Sequence, residues 1–479
     1  MYLQGFPRAY RHTPPAGAKN CTLNVSHAVL CLVFLASFSC AAHSETISGA
    51  LTKAYTFSPD LGGQRAATRA ADEGVPRATA GYRPTVTATG SAGKTNTFSE
   101  NDNRNTHAFT RTFPRTAGIT ATQTLYNGNR TLNGVRQAES GVLQSRENLR
   151  QSEQTVLNAA ATAYMNVLRD TALLRLQDNN TEVVTQQLKQ TRDRFQVGEV
   201  TRTDVAQSEA ALALSNANSF TARSNLQNSL AVYRQLIGEQ PKNLSPARPL
   251  DSLVPKTLND AVGISQVEHP QVQAALHAVD VAVLAVKVQE GTLYPTVTVQ
   301  GSVLNTWDAN ATPHNKTLSV SAIGNLSIPL YDGGLSYANI RQSKEQLAQA
   351  RMQVDLQRES VRSAAVSAWG AYQNTKAVIR SFQAQVKANE IALSGIREEA
   401  RVGQRTTLDV LNAQQTLLNS RVNLVTAQRD QVVNSYALLL SIGKMSSTTL
   451  GLKTITYDPT VHYDQVKDKL WGVRTPDGR

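Results

Sequence analysis

The chain of 479 residues is 41% hydrophobic, 6% aromatic and 18% charged. It is too apolar for a disordered chain and too poor in aromatic residues for several conventional compact cores. Its 48 basic and 36 acidic residues give a net charge of +12, and the basic residues are scattered along the chain. Because it has neither a basic block nor basic residues alternating with aromatic ones, the sequence does not support nucleic-acid binding.

Residues 1–44 have the features of a signal peptide for export. An apolar run at 28–38 follows basic residues, and residues 42–44 offer a small-residue cleavage site before Glu45. The alternative is an anchor helix, which the short length of the run disfavours. All three cysteines fall within this leader, so the exported chain would carry no thiol or disulfide: Cys21, Cys31 and Cys40. The apolar runs after Glu45 are short, so we expect any entry into a membrane to use strands.

The remaining sequence contains an internal duplication. The motif Leu-Tyr-Asn-Gly at 125–128 recurs as Leu-Tyr-Asp-Gly at 330–333, and the Val-Gly motif at 197–201 recurs at 402–406, each 205 residues later. About 110 residues correspond without an insertion, as expected for long helices whose register matters.

Each half shows a seven-residue repeat of apolar and small residues, which predicts left-handed coiled-coil packing. The repeat positions are Val135, Val142, Leu149, Val156 and Ala163 in the first half and Ile340, Leu347, Val354, Val361 and Ala368 in the second. A helix over 129–197 would be about 100 Å long. We expect it to turn at Gly198 into a second helix over 203–237, with a matching turn at Gly403. The heptads alone would favour a periplasmic coiled-coil adaptor or scaffold protein without a pore.

Alternating apolar and polar residues before each hairpin predict two pairs of strands, at 83–98 and 107–125 and at 294–307 and 317–331. Their length suits membrane-spanning β-strands with one apolar and one polar face. The offset between the halves is 211 at the proline that opens each strand pair, so we assign the six extra residues to the polar loop 98–107. A soluble β-sandwich would show the same alternation, and the export signal favours the membrane alternative.

Recognisable catalytic and metal-binding motifs are missing from the sequence. His107 and His314 fall in the predicted loops between strands, where we expect solvated side chains. Asp204 and Asp409 occupy the same place beside the two hairpin turns. There a carboxylate satisfies free amides at a helix start, which explains them better than a catalytic pair. We therefore predict no enzymatic activity, no cofactor and no bound metal.

The signal, the duplicated strand-strand-helix-helix unit and the turn Arg-Phe-Gln-Val-Gly…Thr…Thr-Asp-Val at 194–205 together resemble the TolC family of outer-membrane efflux channels. The resemblance extends from Glu45 to about Met445. It implies a mixed fold of α-helices and transmembrane β-strands in a homotrimer, whose twelve-stranded β-barrel continues into a twelve-helix coiled-coil α-barrel. It further implies a passive outer-membrane exit duct of a tripartite efflux pump or type I secretion system. Its partners would be outer-membrane lipid, a periplasmic adaptor and an inner-membrane pump or ABC transporter.

The resemblance also divides the chain into segments. Residues 45–81 would form the first periplasmic helices. The two repeats would occupy 82–238 and 294–443, with helical hairpins at 129–238 and 334–443. A linker with short equatorial helices would lie at 239–293 and a periplasmic tail at 444–479.

In the family, the hairpin tips meet the adaptor, which carries over to Val197, Gly198, Thr201, Val402, Gly403 and Thr406. The family's closed-state latch uses an arginine after the second glycine and acids one to two turns later. Arg405 and Asp409 match these positions, and Asp204 matches the acid of the first hairpin. A second acid often follows, but here the position is Asn412, which predicts a weaker block by multivalent cations.

Overall fold

The computed structural model describes residues 44–101, 106–309, 314–476 and 478. The predicted signal peptide, with its three cysteines, lies outside the described residues except for Ser44. Three helices come first and are followed by a short 3₁₀ turn: α1 (Ile47–Phe57), α2 (Pro59–Asp72), α3 (Gly74–Thr79) and the turn Ala80–Tyr82. The side chains of Thr46 and Ser58 cap α1 and α2 by accepting backbone amides, which fixes where these helices begin.

Four strands form one antiparallel sheet in the order β1-β4-β5-β6, and β2 and β3 pair with each other. The bounds are β1 (Thr85–Ala92), β2 (Thr95–Asn101), β3 (Thr106–Thr112), β4 (Arg115–Asn127), β5 (Thr296–Trp307) and β6 (Lys316–Ser327). The centre of the sheet is the β4–β5 ladder, in which a strand of the first repeat pairs with a strand of the second. The sheet therefore joins the two halves of the duplication.

The first strand pair differs from the prediction of continuous strands at 83–98 and 107–125. The first predicted strand is interrupted at residues 93–94 and the second at residues 113–114. The parts farthest from the helices therefore form the separate β2–β3 hairpin. Pro114 has no amide to donate to a ladder, and its carbonyl instead accepts the Gly93 amide at 3.0 Å. His107 consequently lies in a strand opposite Glu100 rather than in a loop. Residues 102–105 of the predicted loop lie outside the described residues.

The second strand pair is continuous, but β6 ends at Ser327 rather than at residue 331. Pro329 follows and cannot donate a ladder hydrogen bond, which explains the earlier end. His314 lies in the turn before β6 with a left-handed backbone (φ 60°).

Two long helical hairpins extend from the same end of the sheet. Their helices are α4 (Arg130–Gln196), α5 (Arg202–Ile237), α8 (Leu335–Arg401) and α9 (Thr407–Ser441). Both α4 and α8 have 67 residues and are therefore about 100 Å long. The side chains at heptad positions Val142, Leu149, Val156 and Val361 are buried, so the seven-residue stripe faces neighbouring helices.

The main hydrophobic core surrounds the middle of α4, where α1, α5 and α9 meet it. Leu157 and Leu438 are fully buried there, and the rings of Tyr164 and Tyr233 lie 6.5 Å apart. The Tyr164 hydroxyl lies 2.6 Å from the carbonyl oxygen of Ser245, to which it donates. The core therefore ties the linker after α5 to the long helices.

Three further helices complete the described fold: α6 (Leu258–Glu268), α7 (Pro270–Glu290) and α10 (Pro459–Val466). The stretch Leu258–Leu293 is long and apolar enough by composition to cross a membrane. However, the extended backbone of His269 (ψ 129°) divides it into α6 and α7, and α7 packs against α4 and α8. It is therefore a pair of packed helices rather than a single span.

Candidate functional site

The two hairpin turns have the same backbone geometry. Gly198 and Gly403 both have φ 81°, in the left-handed region that favours glycine. The amide of Glu199 donates to the carbonyl of Arg194 at 3.0 Å, and that of Gln404 donates to the carbonyl of Glu399 at 2.8 Å. These bonds satisfy carbonyls at the end of α4 and α8, as left-handed glycine caps do.

A reciprocal capping box begins the helix after each turn. The Thr201 amide donates to Asp204 Oδ2 at 2.9 Å, and the Asp204 amide donates to Thr201 Oγ1 at 3.3 Å. Thr406 and Asp409 repeat this with distances of 3.0 and 3.2 Å. The interpretation of both acids as helix-start carboxylates is confirmed.

These hydrogen bonds also set the acidity of the two carboxyl groups. Two hydrogen bonds from Thr201 to the Asp204 carboxylate hold the pKa of Asp204 below its usual value. The bond from the hydroxyl has the larger effect and the bond from the amide the smaller. Two hydrogen bonds from Thr406 lower the pKa of Asp409 in the same way, and here the bond from the amide has the larger effect. Both groups are therefore anionic at neutral pH, at the exposed ends of the hairpins.

An ion pair crosses each turn. Arg194 Nε donates to Glu199 Oε2 at 2.8 Å in the first hairpin, and Arg405 Nε donates to Glu399 Oε2 at 2.9 Å in the second. Glu399 is the main cause of the raised pKa of Arg405, followed by the charge of Asp409. The nearest partner of the arginine within one chain is thus Glu399 rather than Asp409.

Sequence reasoning missed this role of Glu399 and of Glu199. The repeat itself contains the signal, because Glu399 stands 205 residues after Arg194. The charge at that position is reversed between the two hairpins. A search for identical residues in the two halves does not find it.

Three of the four predicted gate residues share one groove. Arg405, Asp409 and Asn412 line a cavity of about 320 Å³ between α8 and α9, together with Asn389 and Thr416. The fourth predicted gate residue, Asp204, lies on the first hairpin, in the capping box with Thr201. Asn412 also lines a second groove, of about 300 Å³, which α4 and α5 share with α9.

The hairpin tips also carry exposed apolar side chains. Val197 is 73% exposed and Val402 is 70% exposed, each directly before its glycine. Thr201 and Thr406 are exposed as well. The six predicted docking residues therefore form two similar surfaces at the ends of the hairpins farthest from the sheet.

At the opposite end of the molecule, the sheet has one apolar and one polar face. One face carries a row of apolar residues that pair directly from strand to strand: Ala88, Ile119, Val303 and Val320. The other face carries Thr87, Thr120, Ser302 and Ser321, and the last two hydroxyls lie 2.8 Å apart. This arrangement suits contact with lipid on one side and with water on the other.

Aromatic residues occur at both ends of this sheet. Tyr82, Tyr294 and Tyr331 lie at the end joined to the helices, and Trp307 ends β5 on the far side. β5 has 12 residues and is about 40 Å long, which at a tilt of about 40° spans about 30 Å of bilayer. Both ends of the sheet therefore carry an aromatic residue of the kind that is enriched at membrane interfaces.

Comparison with known proteins identifies the family to which this architecture belongs. A model of the family described as outer membrane efflux protein matches residues 50–239 and 262–444. The chain is a member of this family. The predicted resemblance to TolC-family channels is thereby confirmed.

Individual relatives and solved structures agree with the family assignment. The outer membrane efflux protein BepC of Brucella suis biovar 1 (strain 1330) is 41% identical over 443 residues, which cover 92% of this chain and 94% of BepC. The alkaline protease secretion protein AprF of Pseudomonas aeruginosa is 24% identical, over 67% of both chains. The crystal structure of the CmeC outer-membrane channel of Campylobacter jejuni has the same fold, with a TM-score of 0.74 at 16% identity over 88% of this chain and 89% of CmeC.

Membership of the efflux family places the protein in the bacterial envelope. It lies in the outer membrane, and its long helices form a periplasmic extension. The hairpin turns, at the end of the long helices farthest from the sheet, belong to this periplasmic extension.

Proposed function

We propose that the protein is a passive exit duct of the outer membrane, which carries cargo delivered from the inner membrane. The observation that carries this proposal is the sheet with one apolar and one hydroxyl-lined face, joined directly to hairpins about 100 Å long. Such a unit contributes strands to a membrane pore and helices to a periplasmic tunnel. The proposed function contains no chemical step and therefore needs no catalytic residue, cofactor or metal.

Closure of the pore requires several copies of the chain. The outer strands β1 and β6 each have one unpaired edge in the sheet, and unpaired backbone groups are not tolerated in lipid. Two copies would give eight strands, whose interior is filled by side chains. Three copies would give twelve strands with an aqueous bore lined by serine and threonine, continued by twelve long helices. We therefore propose a homotrimer in which β1 of one copy pairs with β6 of the next.

The tips of the hairpins are the proposed docking surface for a periplasmic adaptor. The exposed valines Val197 and Val402 stand beside glycines with no surrounding atoms within 4 Å of an added Cβ. An open glycine turn with an adjacent apolar side chain allows close approach by a partner. The adaptor would connect the duct to an inner-membrane efflux pump or ABC transporter. The relatives named for efflux and for protease secretion support both kinds of system.

The proposed gate lies just inside these tips. Convergence of the hairpins in a trimer would place three copies of Arg405, Asp409 and Asp204 around one axis. Each arginine already has a partner within its own turn, so opening requires only that its contact with the neighbouring copy breaks. Exposed ion pairs contribute little singly, but three symmetric contacts must break together.

Planar-bilayer recording of the purified protein tests the gate. Arg405→Ser should raise single-channel conductance from the periplasmic side and weaken its dependence on salt. The matched control is Arg401→Ser, because Arg401 pairs with Glu398 on the same turn but lies outside the groove. Equal conductance of both variants and the original protein would refute the gate.

The acids are tested by block with a multivalent cation. Asp409→Asn keeps an acceptor for the Thr406 amide while removing the charge, so it separates charge from capping. We expect block to weaken in this variant. Asn412→Asp should strengthen block by adding a second acidic ring. Unchanged block in both variants would contradict a role for this groove in the entrance.

Native mass measurement in detergent tests the trimer. A stable monomer or dimer that still conducts would exclude it. The alternative, a coiled-coil adaptor or scaffold without a pore, predicts that the protein is removed from membranes by a carbonate wash and forms no channels. The lipid-facing sheet and the family membership favour the duct.

A further inference from the structure

The segment that follows α9 runs alongside the first helices toward the membrane. Three contacts join these two segments, and the residue numbers rise together on both sides. The Tyr457 amide donates to Tyr55 Oη at 3.0 Å, and His462 Nδ1 lies 2.9 Å from Asp72 Oδ2. Farther along, Arg83 Nη1 donates to the Lys469 carbonyl at 3.2 Å. Arg83 stands two residues before the start of β1. The parallel course therefore brings the residues after 469 to the helix-side end of the sheet.

The path of this segment is fixed by buried contacts. The His462 and Asp72 side chains are both buried, and burial is the main cause of the raised pKa of Asp72. Arg146 of α4 lies 5.3 Å from the centre of the Tyr463 ring. Val466 at the end of α10 is fully buried. These contacts fix the position of the chain at Val466, so the residues after it start from a fixed place near the membrane.

A closed loop with an apolar apex follows. Lys469 Nζ donates to the Arg474 carbonyl at 2.6 Å, which brings the two ends of the loop together. Between them, Trp471 is 85% exposed and Val473 is 100% exposed, and Leu470 is exposed as well. No other part of the chain that the structure describes covers these three side chains. Leaving three such side chains in water forgoes the free energy of burying them.

We propose that this loop, residues 469–474, inserts into the inner leaflet of the outer membrane and binds anionic phospholipid there. The inference rests on the proposed duct. Tryptophan favours the membrane interface because its ring is largely apolar and its N–H is polar. Lys469 and Arg474 frame the apolar apex and attract anionic headgroups. Asp468 offsets part of this charge, and residues 467–474 still carry three basic groups against that one acid.

The level of the loop agrees with that of the lipid interface. Tyr82 and Tyr331 are exposed at the same end of the sheet, where interfacial aromatic residues mark the edge of a membrane strand. In the proposed trimer, three copies of α1, α2, α3 and α10 inside the tunnel would obstruct it. These helices and the loop therefore lie on the outer surface, where they meet lipid.

Tryptophan quenching by brominated phospholipids tests the proposal. The chain has three tryptophans, so Trp307→Phe with Trp369→Phe leaves Trp471 as the single reporter. The trimer is reconstituted into vesicles of phosphatidylethanolamine and phosphatidylglycerol whose acyl chains are brominated near the headgroup. We expect Trp471 emission to fall in brominated vesicles and to become protected from aqueous acrylamide.

Lipid selectivity is measured by brominating one lipid class at a time. Phosphatidylglycerol should quench Trp471 more strongly than phosphatidylethanolamine at equal amounts. In the variants Lys469→Gln and Arg474→Gln this preference should fall by about fivefold for each charge removed.

The other two tryptophans provide controls for the same preparation. A single Trp307 at the far end of β5 should be quenched by deeply or shallowly placed bromine, which reports that the sheet spans the bilayer. A single Trp369, which packs against the helical core, should not be quenched.

Three results would overturn the inference. If Trp307 is quenched while Trp471 is not and stays open to acrylamide, the loop lies in water although the duct is correct. If neither brominated phospholipid nor acrylamide quenches Trp471, a second copy of the chain covers it instead of lipid. If Trp307 is not quenched, the proposed membrane sheet itself fails, and the inference fails with it.

Discussion

Replacement of the glycine at the second hairpin turn should loosen the tip without disturbing the rest of the fold. Gly403 has φ 81°, and an added Cβ would meet no atom within 4 Å. The change Gly403→Ala therefore costs only the left-handed backbone, about 1–2 kcal/mol. A cost of about 1 kcal/mol raises the population of the open turn about fivefold. Valine should cost more than alanine because it is β-branched, and asparagine should cost less.

Limited trypsin digestion measures this population, since arginines lie on both sides of the turn. Cleavage after Arg401 or Arg405 tracks the open fraction when the turn opens and closes faster than it is cut. We expect cleavage to accelerate in the order asparagine, alanine, valine. Adaptor binding and export should weaken in the same order, while the thermal unfolding of the assembled protein stays unchanged.

Gly443 provides the contrasting control. It also has a positive φ, of 74°, but an added Cβ would lie 2.8 Å from His269 Cα. Gly443→Ala thus adds overpacking of about 1–3 kcal/mol to the backbone term and should lower the Tm. The reasoning is refuted if Gly403→Ala leaves trypsin cleavage unchanged, or if asparagine and valine at that position behave alike.

Three further changes test the turns and the sheet. Thr406→Ala should destabilise the start of α9 by about 1 kcal/mol and speed hydrogen exchange of its first turn, whereas Thr406→Ser should not. Because the pKa of Asp204 is lowered, its contribution to stability is present above the ordinary carboxyl pKa of 3.8 and is lost as the pH falls through the lowered value. Hydrogen exchange at the start of α5, corrected for intrinsic rates, should therefore show protection that falls only at acidic pH. Gly118→Ala would place a Cβ 2.9 Å from a carbonyl oxygen of β5 and should reduce the yield of inserted protein, while Gly301→Ala, with open space around it, should not. Equal yields from these two variants would contradict the strand packing.

Local patterns in the sequence accounted for the long helices and their turns. The seven-residue spacing predicted a helix over 129–197, and α4 occupies Arg130–Gln196. Heptads, glycine turns and the Thr-x-x-Asp capping pattern act within a few residues of each other, so they can be interpreted without the fold. The strand breaks at residues 93–94 and 113–114 were not foreseen. The length of each segment suggested one continuous strand, although Lys94 interrupts the alternation of the first and Pro114 cannot donate a ladder hydrogen bond in the second.

The candidate site likewise combines features that depend on neighbouring residues with features that depend on the fold. Each aspartate stands three residues after a threonine and directly after a hairpin turn, so its capping role can be inferred from spacing in the sequence. The pairing of Arg405 with Glu399 depends on how the turn folds back on the end of α8, which spacing does not reveal. The course of residues 457–469 along the first helices was also hidden, since it joins segments almost 400 residues apart in the sequence.

The ladder between β4 and β5 also constrains the order in which the protein can fold. Asn127 pairs with Thr296, so this ladder closes a loop that contains all of α4, α5, α6 and α7. Loop closure is slow for distant segments, whereas helices form from neighbouring residues within microseconds. The helices therefore form before the middle of the sheet can pair. A chain whose helices are incomplete would present unpaired strands to the membrane, so transfer of the sheet into lipid is expected to be the last step of its assembly.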